Sequence, residues 1–205
     1  AYGIFANGGF RVEPYAIERV ESSRGTVLYE ARKAKTSKVL NINTAATMTA
    51  IMKTVIQSGT GRAANIGKPA AGKTGTTDSD HDRWFAGFTP YYTASVWGGY
   101  DVHRKGLNGN YVSHKAMWRQ IMSKIHSGKT NKTPTRPSGI SSVSICTKCG
   151  KKAIADLCSH ASGGSEGQFV NTEYFASGTT PSSFCTCHQK FKICSVTGYA
   201  ASEYC

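Results

Sequence analysis

The feature that most constrains this 205-residue chain is a run of small and hydroxylated residues around one lysine, residues 70–77 (AAGKTGTT). Alternate side chains of an extended strand point to opposite faces, so Thr74 and Thr76 share one face. Gly75 has no side chain, which lets another backbone approach the strand, and Lys73 adds a positive charge beside it. Such a strand suits a peptide-like ligand that ends in a carboxylate, because hydroxyl and ammonium donors bind the anionic end.

The segments on either side of this strand carry a family resemblance. Lys73–Thr74–Gly75 is the K-T-G element of the serine-acylating, penicillin-recognising enzymes. Residues 57–64 (QSGTGRAA) precede it, and residues 82–90 (DRWFAGFTP) and 96–101 (VWGGYD) follow it. Together these segments resemble the C-terminal half of the transpeptidase domain of a class A penicillin-binding protein, over residues 1–125. The resemblance implies an α/β sandwich of the α+β type, an antiparallel sheet covered by helices, with the K-T-G strand at the active site.

The resemblance also implies an activity and a role for each residue of the site. In such enzymes a serine attacks a D-Ala-D-Ala amide, D-alanine leaves, and an amino group resolves the acyl-enzyme. The implied catalytic residues are Lys73 and Thr76. Lys73 supplies positive charge and helps to transfer protons, and the backbone N–H of Thr76 belongs to the oxyanion hole. The implied substrate-binding residues are Thr74, Gly75, Thr77 and Trp84. The family implies no cofactor and no metal in this site.

Two motifs that these enzymes need are missing from the sequence. No lysine has a serine three residues before it, and no asparagine has a serine two residues before it. The Ser-x-x-Lys nucleophile and the Ser-x-Asn element are therefore absent. We expect a piece of an enzyme that is inactive alone and needs its missing N-terminal half. By resemblance, the parent is bifunctional, with a glycosyltransferase domain, and is anchored at the extracellular face of the bacterial cell membrane.

Local patterns predict the elements that carry these motifs. Residues 10–29 indicate a β-hairpin that turns at residues 22–25, and a basic connector follows at residues 32–38. Residues 85–88 and 93–100 indicate two antiparallel strands. Two helices are predicted, the first capped by Asn43 and the second by Ser113. Their predicted core-facing stripes are Met48, Ile51, Met52, Val55 and Ile56, and Trp118, Ile121, Met122 and Ile125. The chain thus divides into a transpeptidase portion at 1–126, a linker at 127–142 and a tail at 143–205.

The tail holds all seven cysteines and an internal repeat. Cys146 is followed by Gly150, Ala153 and Cys158, and Cys194 is followed at similar spacing by Gly198, Ala201 and Cys205. This tail resembles the one that follows the transpeptidase domain in some Gram-positive class A enzymes. Cysteines oxidise outside the cytoplasm, and a small polar tail has little core, so a disulfide-rich β-type fold is expected. The repeat suggests Cys146 paired with Cys158, and Cys194 paired with Cys205.

Charge and cysteine spacing leave other functions open. The resemblance implies peptidoglycan stem peptides and beta-lactams as partners. The formal charge of +13 suits anionic wall polymers or a lipid surface, and no aromatic-basic motif supports nucleic acid. A D-Ala-D-Ala carboxypeptidase or a beta-lactamase shares the fold. A non-catalytic wall- or nucleic-acid-binding protein is the third alternative, with a zinc ribbon built on Cys146-x-x-Cys149 and Cys185-x-Cys187. Disulfides are favoured over zinc for a chain that works outside the cell.

Overall fold

The computed structural model describes residues 1–31, 34–102, 106–107, 113–134, 136–159 and 169–201. The chain divides into two compact units, Ala1–Pro137 and Ser138–Cys205, which we describe separately as unit 1 and unit 2. Among the described residues, no helix is both long and apolar enough to cross a membrane.

Unit 1 contains ten α-helices and β-strands among its described residues. In chain order they are α1 (Tyr2–Ala6), β1 (Phe10–Val12), β2 (Arg19–Glu21), β3 (Val27–Glu30), β4 (Thr36–Lys38), α2 (Ile42–Gln57), β5 (Ala71–Thr76), β6 (Asp82–Phe88), β7 (Thr93–Gly99) and α3 (His114–Ile125). Strands β5, β6 and β7 form one antiparallel sheet in that order. The predicted pair of strands at 85–88 and 93–100 is thereby confirmed.

The predicted hairpin is also present, as the antiparallel pair β2–β3. The Ser22 hydroxyl accepts a hydrogen bond from the Thr26 N–H at 3.1 Å, and Gly25 has a φ of +78°, which a residue without a side chain adopts at low cost. Strand β1 pairs with β4 instead of extending this hairpin. The predicted basic connector therefore ends in a strand, β4, within its described part.

Helix α2 begins earlier than predicted and buries only part of the predicted stripe, Met52 and Ile56. Its cap is Asn41, whose side chain accepts from the Asn43 N–H at 2.8 Å, so the predicted cap lies inside the first turn. The buried residues are Ala45, Thr49, Met52 and Ile56, while Met48 and Ile51 are exposed. Two of these four side chains, Ala45 and Thr49, are small. Thr49 can be buried because its hydroxyl donates a hydrogen bond to the Ala45 carbonyl at 2.8 Å. A search for large apolar residues misses such a stripe.

Helices cover both faces of the β5–β6–β7 sheet. On one face Phe85 packs against Trp118 of α3, with ring centroids 5.1 Å apart in an edge-on arrangement, and Ile56 and Met122 join the cluster. On the other face the buried residues Met52, Ala71 and Phe88 pack against α1. Of the stripe predicted for α3, Trp118 and Met122 are buried, and Ile121 and Ile125 are exposed. The predicted α+β sandwich is confirmed.

Unit 2 contains β8 (Ile140–Cys146), α4 (Ala155–Cys158) and β9 (Val170–Ala176), and β8 pairs with β9 antiparallel. Strand β8 begins at Ile140, so the last three residues of the predicted linker are strand. The described buried cluster of this unit consists of Cys146, Cys158 and Cys185. Sulfur therefore takes the place that aliphatic side chains hold in most cores.

The internal repeat corresponds to two copies of one turn. The Gly150 N–H donates to the Cys146 carbonyl at 2.8 Å, and the Gly198 N–H donates to the Cys194 carbonyl at 2.9 Å. Both glycines have positive φ, +71° and +73°, which explains why glycine stands at this position in each copy. The repeat seen in the sequence is therefore a structural repeat.

Candidate functional site

The K-T-G segment lies on β5, at the edge of the sheet formed by the described strands. The Thr77 N–H donates to the Asp82 carbonyl at 3.1 Å, which closes the ladder between β5 and β6. Backbone groups of an antiparallel pair point alternately toward and away from the partner strand. The backbone N–H and C=O groups of Gly75 therefore point toward β6, and the N–H groups of Thr74 and Thr76 point to the free edge of β5. A peptide that adds to this edge meets the Thr76 N–H directly.

The Thr74 side chain is held by residues from two other segments. Its hydroxyl oxygen lies 3.0 Å from that of Thr60, in the loop that follows α2. The Lys115 ammonium at the start of α3 donates to the Thr60 carbonyl at 3.1 Å. The Lys73 ammonium donates to the Thr74 carbonyl at 2.8 Å, at the free edge of β5. Two lysines therefore flank a pair of hydroxyls, which is an arrangement that binds anions.

These hydroxyls line an open cleft of about 550 Å³. Thr74 and Thr76 occupy one face of β5, as predicted from strand alternation, and α3 covers the same face. Their register partners on β6 are Phe85 and Arg83. The other residues that line the cleft include Thr60, Arg83, His114 and Lys115.

Two titratable groups that line the cleft, Asp80 and His114, have pKa values below their ordinary ones. The Arg83 guanidinium forms hydrogen bonds to both carboxylate oxygens of Asp80 and lowers the pKa of that carboxyl below its usual value. Burial lowers the pKa of His114, and the positive charges of Lys115 and Arg83 lower it further. At neutral pH the carboxylate of Asp80 is ionised and the His114 ring is neutral. Lys73 and Lys115 then supply positive charge for an anionic ligand.

Trp84 lies on the opposite face of the sheet from the side chains of Thr74 and Thr76. In the β5–β6 register Trp84 is opposite Gly75, so it shares a face with Lys73 and not with Thr74 and Thr76. It packs against Trp97, with ring centroids 6.3 Å apart. These side chains of β5 and β6 line a second open cleft of about 410 Å³, on the α1 side of the sheet. Trp84 therefore shares a cleft with the predicted site residues Lys73, Thr74 and Gly75, and it is not among the residues that line the cleft of Thr76.

The Thr77 hydroxyl forms hydrogen bonds with Asp82. Its Oγ1 accepts from the Asp82 N–H at 2.8 Å and lies 3.2 Å from Asp82 Oδ2. These bonds close the turn between β5 and β6, a segment in which Ser79 and Asp80 have positive φ. Thr77 thus shapes the end of the K-T-G strand.

Two residues that hold the Thr74 side chain in place, Thr60 and Lys115, were not among the predicted site residues. Thr60 lies in the segment 57–64 that supports the family resemblance, so the sequence contained a signal for its neighbourhood. Lys115 had no such signal, because its contact with Thr60 spans 55 positions of the chain. Only the packing of α3 on the sheet brings its ammonium to the cleft.

One of the disulfide predictions for the tail is wrong in this structure. Cys146 and Cys158 are both free, as are Cys149, Cys185 and Cys187. The reason is geometric, since the Cys146 sulfur is also close to Cys187, at 3.7 Å, and to His188 Nδ1, at 3.6 Å, and so belongs to a larger cluster. Cys194 is disulfide-bonded, and because Cys205 lies outside the described residues the pairing of the two stays a prediction.

Two family models match this chain. A family model for the penicillin binding protein transpeptidase domain matches residues 1–123. The chain belongs to this family. A second family model, for the C-terminal domain of penicillin-binding protein 1A, matches residues 136–190, so both units of this penicillin-binding protein chain are covered.

Relatives of the same kind come from clostridia. Penicillin-binding protein 1A of Clostridium perfringens is 31% identical over 94% of this chain and 23% of the relative. That of Clostridium tetani is 34% identical over 92% of this chain and 24% of the relative. The chain spans about a quarter of the length of these relatives.

Solved structures share the fold. Penicillin-binding protein 1A from Haemophilus influenzae has a TM-score of 0.71 and 23% identity, over 89% of this chain and 32% of that protein. The penicillin-binding protein PonA1 from Mycobacterium tuberculosis has a TM-score of 0.60 and 27% identity, over 67% of this chain and 39% of that protein.

Proposed function

We propose that this chain is the C-terminal part of a class A penicillin-binding protein and contributes one wall of a D-Ala-D-Ala transpeptidase site that cross-links peptidoglycan. The observation that carries the proposal is the family match over residues 1–123 together with the K-T-G strand at a free sheet edge. The serine and its acid-base partners belong to the part of the parent protein that carries the Ser-x-x-Lys and Ser-x-Asn motifs.

The chemistry assigned to this wall is carboxylate binding and charge stabilisation. The stem peptide adds along the free edge of β5, and the hydroxyls of Thr74 and Thr76 bind its terminal carboxylate. When the serine attacks the penultimate carbonyl, negative charge develops on its oxygen, and the Thr76 N–H donates to that oxygen. One such donor is worth about 3 kcal/mol in the transition state. The ammonium of Lys73 adds to the positive electrostatic potential at the site and assists proton transfer near the serine.

The partners and location of the parent protein follow from this role. Its ligands are peptidoglycan stem peptides and beta-lactams, and its missing N-terminal half completes the domain. It works at the extracellular face of the bacterial membrane, with an anchor and a glycosyltransferase domain outside this chain. The formal charge of +13 supports contact with anionic wall polymers or lipid headgroups.

Labelling with a fluorescent penicillin tests the proposal. The parent protein is expected to form a covalent adduct that survives a denaturing gel, and its variant with alanine at the Ser-x-x-Lys serine forms none. The isolated 205-residue chain is expected to form none either, because it has no such serine. A stoichiometric adduct on the isolated chain overturns the proposal. Rapid release of hydrolysed penicillin by the parent indicates a beta-lactamase instead.

A further inference from the structure

Sulfur atoms converge in unit 2 in a way that the transpeptidase chemistry does not use. Cys187 Sγ lies 3.7 Å from Cys146 Sγ and 3.4 Å from Cys185 Sγ. His188 Nδ1 lies 3.6 Å from Cys146 Sγ and 3.5 Å from Cys185 Sγ. Cys158 belongs to the same buried cluster. Cys149 lies close to Cys146, Cys185 and Cys187. Five described cysteines and one histidine therefore form a single cluster.

The donor atoms form two sets of four. One set is Cys146, Cys158, Cys185 and His188, and the other is Cys146, Cys149, Cys185 and Cys187. Within each set every donor lies within 4.8 Å of the other three. A tetrahedral zinc ion with Zn–S bonds of 2.3 Å holds its sulfurs about 3.8 Å apart. The two sulfurs of a disulfide are about 2.05 Å apart, so the longer S–S distances of this cluster are those of metal ligands.

The backbone holds these donors in position. The Cys185 N–H donates to the Lys152 carbonyl at 2.8 Å, which ties the Cys185 segment to the chain beyond the turn at Gly150. The Cys158 sulfur, at the end of α4, accepts from the Ile154 N–H at 3.4 Å. The His188 ring packs against Phe169, with centroids 5.1 Å apart. Hydrogen bonds and packing of this kind orient ligands in metal sites.

The composition of the unit favours a metal as its stabilising element. Its buried cluster is made of Cys146, Cys158 and Cys185, which are 0%, 0% and 4% exposed. Units of this size gain stability from a disulfide or a structural metal, because their apolar cores are small. No disulfide joins these three described cysteines. A zinc ion bound by them releases the thiol protons and adds its binding free energy to folding.

We propose that unit 2 contains a structural zinc site in which Cys146 and Cys185 are the two ligands common to both donor sets. The site is independent of the proposed transpeptidase function, and it reverses the preference for disulfides drawn from the sequence. The second copy of the turn has Thr197 where the first has Cys149, and its Cys194 is disulfide-bonded. The two copies of one turn thus serve two different cross-links, a metal and a disulfide.

Metal analysis of the 205-residue chain, purified without chelators, tests the proposal. We expect about one zinc ion per chain if one donor set is filled, or two if both are filled with Cys146 and Cys185 as bridges. The variant Cys185→Ser is expected to lose this zinc. The matched control is the double variant Cys194→Ser/Cys205→Ser, which removes the disulfide-bonded Cys194 and its predicted partner and is expected to keep the zinc.

A second measurement does not depend on the folding of the variants. Cobalt(II) added to the metal-stripped wild-type chain is expected to give the visible absorption of a tetrahedral thiolate complex, and zinc is expected to bleach it. Peptide mapping under non-reducing conditions is expected to find Cys146, Cys149, Cys158, Cys185 and Cys187 as thiols. A disulfide between any two of them, or a purified chain without bound metal and without the cobalt spectrum, overturns the proposal.

Discussion

The hydroxyl oxygens of Thr60 and Thr74 lie 3.0 Å apart and join the loop after α2 to the edge strand of the sheet. Lys115 fixes the other end of this contact through the Thr60 carbonyl. Three separate segments therefore position one hydroxyl of the K-T-G strand. A hydroxyl that is already oriented binds a carboxylate without the entropy cost of ordering it.

Substitution of Thr74 by valine in the parent protein is expected to slow acylation by a carboxylate-bearing beta-lactam tenfold to more than a hundredfold. The loss of one charge-assisted hydrogen bond costs roughly 1.5–3 kcal/mol, and valine preserves the strand. The second-order acylation rate constant measures the effect. The matched control is Thr172→Val, at an exposed threonine of β9, which leaves the rate unchanged. An unchanged rate for Thr74→Val removes this hydroxyl from the site.

The backbone N–H of Thr76 can be tested separately from its side chain. Thr76→Pro removes the N–H at the free edge of β5, where proline is tolerated because the N–H does not bond to β6. Thr76→Val removes the hydroxyl and keeps the N–H. We expect the proline variant of the parent protein to acylate about a hundredfold more slowly than the valine variant. Equal rates in two variants with the same melting temperature contradict the oxyanion role.

Gly72 is required by close packing within the sheet. A Cβ atom at this position would lie 2.8 Å from the Ala86 carbonyl oxygen and 2.8 Å from Phe85 Cζ. We expect Gly72→Ala to lower the free energy of unfolding of this chain by about 1–3 kcal/mol, measured by urea denaturation. The control Gly3→Ala lies in α1 with its nearest neighbour at 4.0 Å, and it is expected to cause no loss. A Gly72→Ala variant as stable as the wild type shows that the sheet relaxes around the methyl group.

The stability of this chain is expected to fall as the pH drops below about 6.5 because of His114. Burial, reinforced by the positive charges of Lys115 and Arg83 and opposed by Asp80, lowers the pKa of folded His114 below its ordinary value of 6.5. In that range the unfolded state binds the proton and the folded state does not, so the free energy of unfolding decreases. His114→Gln is expected to show a smaller decrease between pH 7.5 and 5.5 in urea denaturation. Identical decreases in the two proteins exclude His114 as the source.

Local patterns in the sequence were sufficient for several elements. Strand alternation put Thr74 and Thr76 on one face, because the direction of a side chain in a strand depends on the chain itself. The strand pair around Pro90 and the helix after Ser113 were found from turn and cap residues. The spacing of Cys146 and Gly150, repeated in Cys194 and Gly198, marked two equivalent turns for the same reason.

Contacts between distant segments were decided only by the tertiary structure. The face of Trp84 depends on the register between β5 and β6, and the contact of Lys115 with Thr60 depends on where α3 packs. The cysteines are the clearest example. The sequence shows which residues carry sulfur, but whether Cys146 meets one partner or five depends on how four segments of unit 2 fold together. Spacing along the chain does not determine distance in space once the chain folds back on itself.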